Sequence, residues 1–338
     1  MENSNMNTTN LLPMLSVMRP SGSKAERRFI KHFLSPLGLK HDDAGNLYKR
    51  IGDLPVLWSS HTDTVHGRSG LQAVTVLEDW ALLADGETAN CLGADDTVGV
   101  WLMSEMIKAK RPGLYIFHRG EECGGKGSSH IARNPKLLDG IECAIAFDRK
   151  GHSDVITHQC GRCCSDKFAL SLAGKLGGTY KPCSGGVFTD TANYVDRIGE
   201  CTNLSVGYYD QHSKRECTDL QFAAELRDKL LDLDFSDLET ERKPGEKDTK
   251  DWSWSNHPYD LDSWDNWGRS AHPYTGSSSG WSKSYGNSRH YTSWYDYDNK
   301  TMEELVEEFP DEVATILEAC GVHEKELLQE LRRMGVIE

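Results

Sequence analysis

The sequence predicts an α/β fold over residues 1–239, and three observations predict it. Apolar runs of strand length alternate there with Gly-rich turns and helical periodicity. Four of those runs end directly on ionisable residues. In open α/β sheets, ligands sit beyond the carboxyl ends of strands, so such endings belong at a functional edge. Near residue 240 the composition changes sharply, which marks the end of the domain.

The four runs come in order along the chain. Pro55 to Trp58 leads into Ser59, Ser60, His61, Thr62 and Asp63. Leu114 to His118 leads into Arg119, Gly120, Glu121 and Glu122. Cys143 to Phe147 leads into Asp148, and Leu204 to Tyr209 leads into Asp210, Gln211 and His212. A fifth motif, Gly93-Ala94-Asp95-Asp96, opens a predicted amphipathic helix with Val98, Leu102, Met106 and Ala109 on one face. Pro112 and Gly113 stop that helix. An acidic residue at a helix start also suits capping and the helix dipole.

Together the motifs supply two imidazoles and at least three carboxylates, a ligand set suited to two divalent ions of the Zn²⁺ type. Such a pair needs a bridging carboxylate, terminal ligands and one unligated carboxylate to move a proton.

The 338-residue chain carries 38 Lys+Arg against 52 Asp+Glu, a net charge of −14. That charge repels phosphate backbones and argues against general nucleic-acid binding. No run approaches the ~18 apolar residues that span a bilayer. No secretory signal is read at the amino terminus, so a cytoplasmic setting is expected. In a reducing compartment the ten cysteines are expected as thiols rather than disulfides. Cys160, Cys163 and Cys164 have CxxC spacing, but no second CxxC completes a zinc site, so buried thiols are expected.

The five motifs, in this order, resemble the co-catalytic zinc metallopeptidases and their amidohydrolase relatives. That group includes the leucyl-type zinc aminopeptidases, peptidase T and the aminoacylase and acetylornithine deacetylase enzymes. The resemblance covers roughly Leu11 to Phe235 and includes Ser21-Gly22, Glu26 and the stretch from Asp43 to Leu47. It implies a central mixed β-sheet flanked by helices, the phosphorylase/hydrolase-type sandwich. It also implies two divalent metal ions, zinc first, with manganese or cobalt as alternatives. By resemblance His61, Asp95 and Asp148 hold one metal, and Asp95, Glu122 and His212 hold the other. Asp63 is expected to orient His61, and Glu121 to serve as general base. Tyr208 or Tyr209 is a candidate oxyanion donor. Asp190 is a candidate contact for a substrate ammonium group, with a plain helix cap as its alternative. Only 64 residues separate Asp148 from His212, too few for the lid domain of the aminoacylase branch. The chain therefore resembles the single-domain branch.

The expected activity is amide or peptide hydrolysis of the aminopeptidase kind. An N-acyl amino-acid deacetylase or carboxypeptidase would use the same centre on a peptide or N-acyl amino-acid substrate. An inactive binding protein, working through its carboxyl-terminal region, is the alternative of another class. That region begins with a linker over 240–300. Between Asp251 and Lys300 it holds six of the nine Trp, and Leu261 is its only Ile, Leu, Val or Met, so an ordinary core is not expected. Residues 301–338 read as acidic helices, with eleven acidic and three basic residues, suited to a protein partner or self-association.

Overall fold

The computed structural model describes residues 10–246. The expected linker from residue 247 onward and the helical segment over 301–338 lie outside the described residues. In chain order the strands are β1 (Val17–Met18), β2 (Lys40–His41), β3 (Leu47–Ile51), β4 (Val56–His61), β5 (Gly70–Leu71), β6 (Val74–Leu77), β7 (Trp80–Leu83), β8 (Gly113–His118), β9 (Cys143–Arg149), β10 (Asp154–Ile156), β11 (Lys181–Cys183), β12 (Glu200–Ser205), β13 (Tyr208–Tyr209) and β14 (Cys217–Asp219). The α-helices are α1 (Leu11–Leu15), α2 (Lys24–Phe29), α3 (Ala94–Lys108), α4 (Lys126–Arg133), α5 (Asp166–Leu176) and α6 (Leu220–Asp232).

Eight strands form the central mixed sheet, in the order β11-β10-β12-β9-β4-β8-β3-β2. Its middle four, β12, β9, β4 and β8, run parallel, so their carboxyl ends share one edge. Every residue of β4, β8 and β12 is buried, as expected of parallel strands covered on both faces. Trp58 stacks on Phe147 with ring centroids 5.8 Å apart, joining β4 to β9 within the core. A smaller antiparallel sheet runs β13-β14-β7-β6. The segment between Asp148 and His212 supplies β10, β11 and β12 to the central sheet, with α5 among them.

Two sequence expectations change. The helix expected to be amphipathic, α3, is buried on all sides from Ala94 to Ser104, because it packs on β4 and β9 while α1 and α6 cover it. Its contact with the sheet is close: a Cβ on Gly99 would lie 2.5 Å from the Phe147 carbonyl oxygen. The run from Leu204 to Tyr209 is not one strand. It breaks at Gly207, whose φ of +96° suits glycine, and β13 crosses to the smaller sheet.

The chain stays fastened to the domain past Phe235. The fully buried Glu200 carboxylate accepts backbone N–H bonds from Glu241 and Arg242 at 2.7 and 2.8 Å. Arg242 returns a bond to the Gly199 carbonyl at 2.7 Å. Among the described cysteines all are free, and Cys91, Cys143, Cys163, Cys164 and Cys201 are buried. Cys160 and Cys123 are exposed. No helix among the described residues is long and apolar enough to cross a membrane.

Replacing Gly99 by alanine forces α3 away from β9. The expected cost is ~1–3 kcal/mol, seen as a lower denaturant midpoint at unchanged slope.

Candidate metal centre

The parallel strand ends deliver most of the candidate site. His61 closes β4 and pairs in register with His118 at the end of β8. Asp148 lies near the end of β9, and Glu121 and Glu122 follow β8. Asp95 stands at the start of α3, and His212 in the loop between β13 and β14.

Asp95 sits between the two imidazoles. Its Oδ1 lies 3.1 Å from His61 Nε2, and its Oδ2 lies 3.3 Å from His212 Nε2. His61 Nε2 is also 3.6 Å from Asp148 Oδ1, and His212 Nε2 is 3.0 Å from Glu122 Oε1. The atoms of His61, Asp95 and Asp148 lie within 4.8 Å of one another, as do those of Asp95, Glu122 and His212. A third group, His61, Glu121 and Glu122, meets the same limit and sets Glu121 beside both triads.

Asp63 differs from the expectation in one respect. The His61 Nδ1 group donates to the Asp63 backbone carbonyl at 3.0 Å, while the carboxylate Oδ1 stands at 3.6 Å. That bond turns the Nε2 edge of the ring toward the cluster, the edge that a ligating imidazole would use. The Asp63 Oδ1 atom instead accepts N–H bonds from Gly120 and Glu121 at 3.0 and 3.2 Å. Asp63 thus holds the imidazole with its backbone and the Glu121 turn with its side chain.

The remaining candidates fall elsewhere. The Tyr208 hydroxyl is buried and donates to Asp148 Oδ1 at 3.2 Å. Tyr209 packs against Trp80 and His152 in the other direction. Asp190 is 1% exposed and makes no capping bond. Its Oδ2 stands 3.3 Å from His118 Nδ1, and its Oδ1 has no partner.

Several further residues support the cluster. Asp96 accepts the His61 N–H at 3.0 Å and the Gly99 N–H at 3.1 Å. Thr189 donates to Asp148 Oδ2 at 2.6 Å, and Asn203 pairs with both backbone groups of Asp148. The buried Glu26 accepts from Thr62 Oγ1 at 2.6 Å and from Arg119 Nε and a terminal guanidinium nitrogen at 2.6 and 2.8 Å. It thereby ties together the turns after β4 and β8. Gly99 lies three residues from Asp96, the capping bond expected of an acidic residue at a helix start; the other partners are remote in sequence, so only the fold reveals them.

Charge is the governing feature here. Burial, then the neighbouring Asp95 charge, pushes Asp148 up to about 6 and Glu122 up to about 7. Burial also pushes Glu121 well above the usual carboxylate range, with the Asp148 charge adding to it. For Asp95, burial acts upward, but hydrogen bonds from His212 and His61 outweigh it and hold the carboxyl below its ordinary value. Crowded carboxylates with two inward Nε2 atoms form a cluster short of positive charge. Its oxygen and imidazole donors are of the kind that could hold a metal ion.

No protein-family model matches the sequence, and no curated protein matches it. Solved structures do. The chain is similar to the aminopeptidase PepT from Bacillus cereus, at 16% identity and a TM-score of 0.52, over 66% of this chain and 96% of that one. It is likewise similar to a tripeptidase from Staphylococcus aureus, at 16% identity and a TM-score of 0.55, over 66% of this chain and 95% of that one. The fold is therefore the fold of these peptidases.

His66, just outside the cluster, gives a test of the local packing. Its ring nitrogens face Thr64 Oγ1 at 2.7 Å and both Gln72 Oε1 and the Cys91 carbonyl at 3.0 Å. Burial, then the Arg19 charge, pushes it down from 6.5 to about 4. Between those values the unfolded chain binds a proton that the folded chain does not, so stability falls as pH falls. The expected contribution is about 3 kcal/mol, complete above pH ~6.5 and lost by pH ~4. A His66→Gln variant is expected to flatten the denaturation midpoint across that window.

Proposed function

We propose that this chain is a metal-dependent hydrolase of amide bonds, of the aminopeptidase kind, with its catalytic unit within residues 1–239. The observation that carries the reading is the placement of Asp95 between His61 and His212, with Glu121 alongside. The fold shared with solved aminopeptidases supports it.

In this reading His61, Asp95 and Asp148 hold one divalent cation, and Asp95, Glu122 and His212 hold a second. The bound cations would supply Lewis-acid polarisation of the scissile carbonyl and a more acidic water. Glu121 performs the proton work. Its raised affinity for a proton, set by burial first, suits a base that must take a proton and give it back. It accepts a proton from the attacking water as the new C–O bond forms. It returns that proton to the nitrogen as the C–N bond breaks, which releases a neutral amine and a carboxylic acid; the acid then gives its proton to solvent. Asp63 fixes the Glu121 backbone N–H and thereby the base. Tyr208, bonded to Asp148 Oδ1, orients that carboxylate and is not free to meet an oxyanion. Asp190, enclosed against His118, does not reach substrate.

The test is Glu121→Gln on aminoacyl amides, with N-acetyl amino acids assayed in parallel to read which end of the substrate must be free. Turnover of the aminoacyl amide is expected to fall ~10²–10⁴-fold with metal content unchanged, the range for loss of a general base. Full turnover in that variant would contradict the mechanism.

A further inference from the structure

The local side-chain cap at the start of α3 is Asp96, which accepts the Gly99 N–H at 3.1 Å and does not serve the N–H groups of Gly93 or Asp95. The N-cap residue, Gly93, has no side chain to offer, and Asp95 and Asp96 depart from helical geometry (φ −76°, ψ 106° and φ −115°, ψ 44°). The first N–H groups of a helix need partners from outside it. Here two of them meet one carboxylate far along the chain. Glu216 Oε2 accepts the Gly93 N–H at 2.8 Å, and Glu216 Oε1 accepts the Asp95 N–H at 3.0 Å. Glu216 is 1% exposed, so water cannot substitute for it. It follows His212 by four residues. Its own N–H donates to the Ser213 carbonyl at 3.1 Å, which closes the turn that directly follows His212.

We propose that Glu216 is a positioning residue of the metal centre, and that its one carboxylate sets the shared ligand Asp95 and the His212 loop relative to each other. This rests on the two-cation reading above. The Asp95 side chain can face both imidazoles only while its backbone is held, and Glu216 holds it. His61 and Asp148 have independent supports. Asp96 fixes the His61 backbone, while Thr189, Tyr208 and Asn203 fix Asp148. None of these bonds involves Glu216. Loss of Glu216 therefore frees Asp95 and the His212 loop but leaves the strand ends in place. The Asp95–Glu122–His212 triad contains both loosened segments; the His61–Asp95–Asp148 triad contains one. The first of these should suffer more.

Cobalt(II) titration of the metal-free full-length chain tests this, followed by visible absorption and calorimetry. The wild type, Glu216→Ala and Glu216→Gln are compared. The wild type is expected to take up about two equivalents, as two metal positions require. In Glu216→Ala the weaker step should lose roughly 10–100-fold in affinity, as supporting partners of metal ligands typically do, and the tighter step less. The absorption of the second equivalent should change shape. Glu216→Gln keeps an oxygen acceptor of the same reach, so it should fall between the two and carries the test if the alanine variant does not fold. Circular dichroism of the metal-free variants should match the wild type, with a lower unfolding temperature from the two N–H groups left buried without their acceptor. Wild-type affinities and spectra in both variants, or equal losses at both steps, overturn the role of Glu216 alone. A wild type that binds no cobalt overturns the two-cation reading itself.

Discussion

One carboxylate faces two imidazoles: Asp95 Oδ1 is 3.1 Å from His61 Nε2, and Oδ2 is 3.3 Å from His212 Nε2. Around that contact stand Glu121, Glu122 and Asp148. Like charges at such range in a buried site oppose one another strongly, and two imidazoles cannot neutralise them all. The rest of the architecture acts to hold this unfavourable cluster together. The parallel strands set the strand-end ligands along one edge, and buried hydrogen bonds fix the turns beyond them.

The way those turns are held is consistent from one to the next. A buried carboxylate accepts several backbone or guanidinium bonds and joins segments distant in sequence. Glu26 joins the turns after β4 and β8 through Thr62 and Arg119. Asp63 takes the N–H groups of Gly120 and Glu121. Glu200 fastens the departing chain at Glu241 and Arg242. Charge-assisted bonds of this kind are roughly twice as strong as neutral ones, and losing either partner leaves the other buried and unsatisfied. Precision at the centre therefore depends on residues that would never touch a substrate.

This explains what the sequence could and could not reveal. Strand runs ending on His61, Asp148 and Glu121-Glu122 were legible because burial on both faces makes parallel strands continuously apolar. The position of Asp95 was legible as an acidic motif at a helix start. The burial of α3 on all sides was not, because its periodicity on one face hid how completely α1 and α6 cover the other. The break at Gly207 was missed because Leu204 to Tyr209 reads as unbroken strand until a positive φ is required. Asp96 was legible as a cap and does accept the Gly99 N–H, but its bond to His61 and the roles of Thr189 and Asn203 were invisible, because each depends on a contact between segments that only the fold brings together. Asp63 was half legible: its proximity to His61 was expected, but which of its atoms serves the imidazole was not.

The most direct measurement is anomalous diffraction at the zinc edge from crystals grown with zinc. The account expects two peaks, one among His61, Asp95 and Asp148 and one among Asp95, Glu122 and His212, separated by ~3.5–4 Å as in two-metal sites. Peaks absent from this cluster at saturating zinc, or zinc held only at other residues, would contradict it.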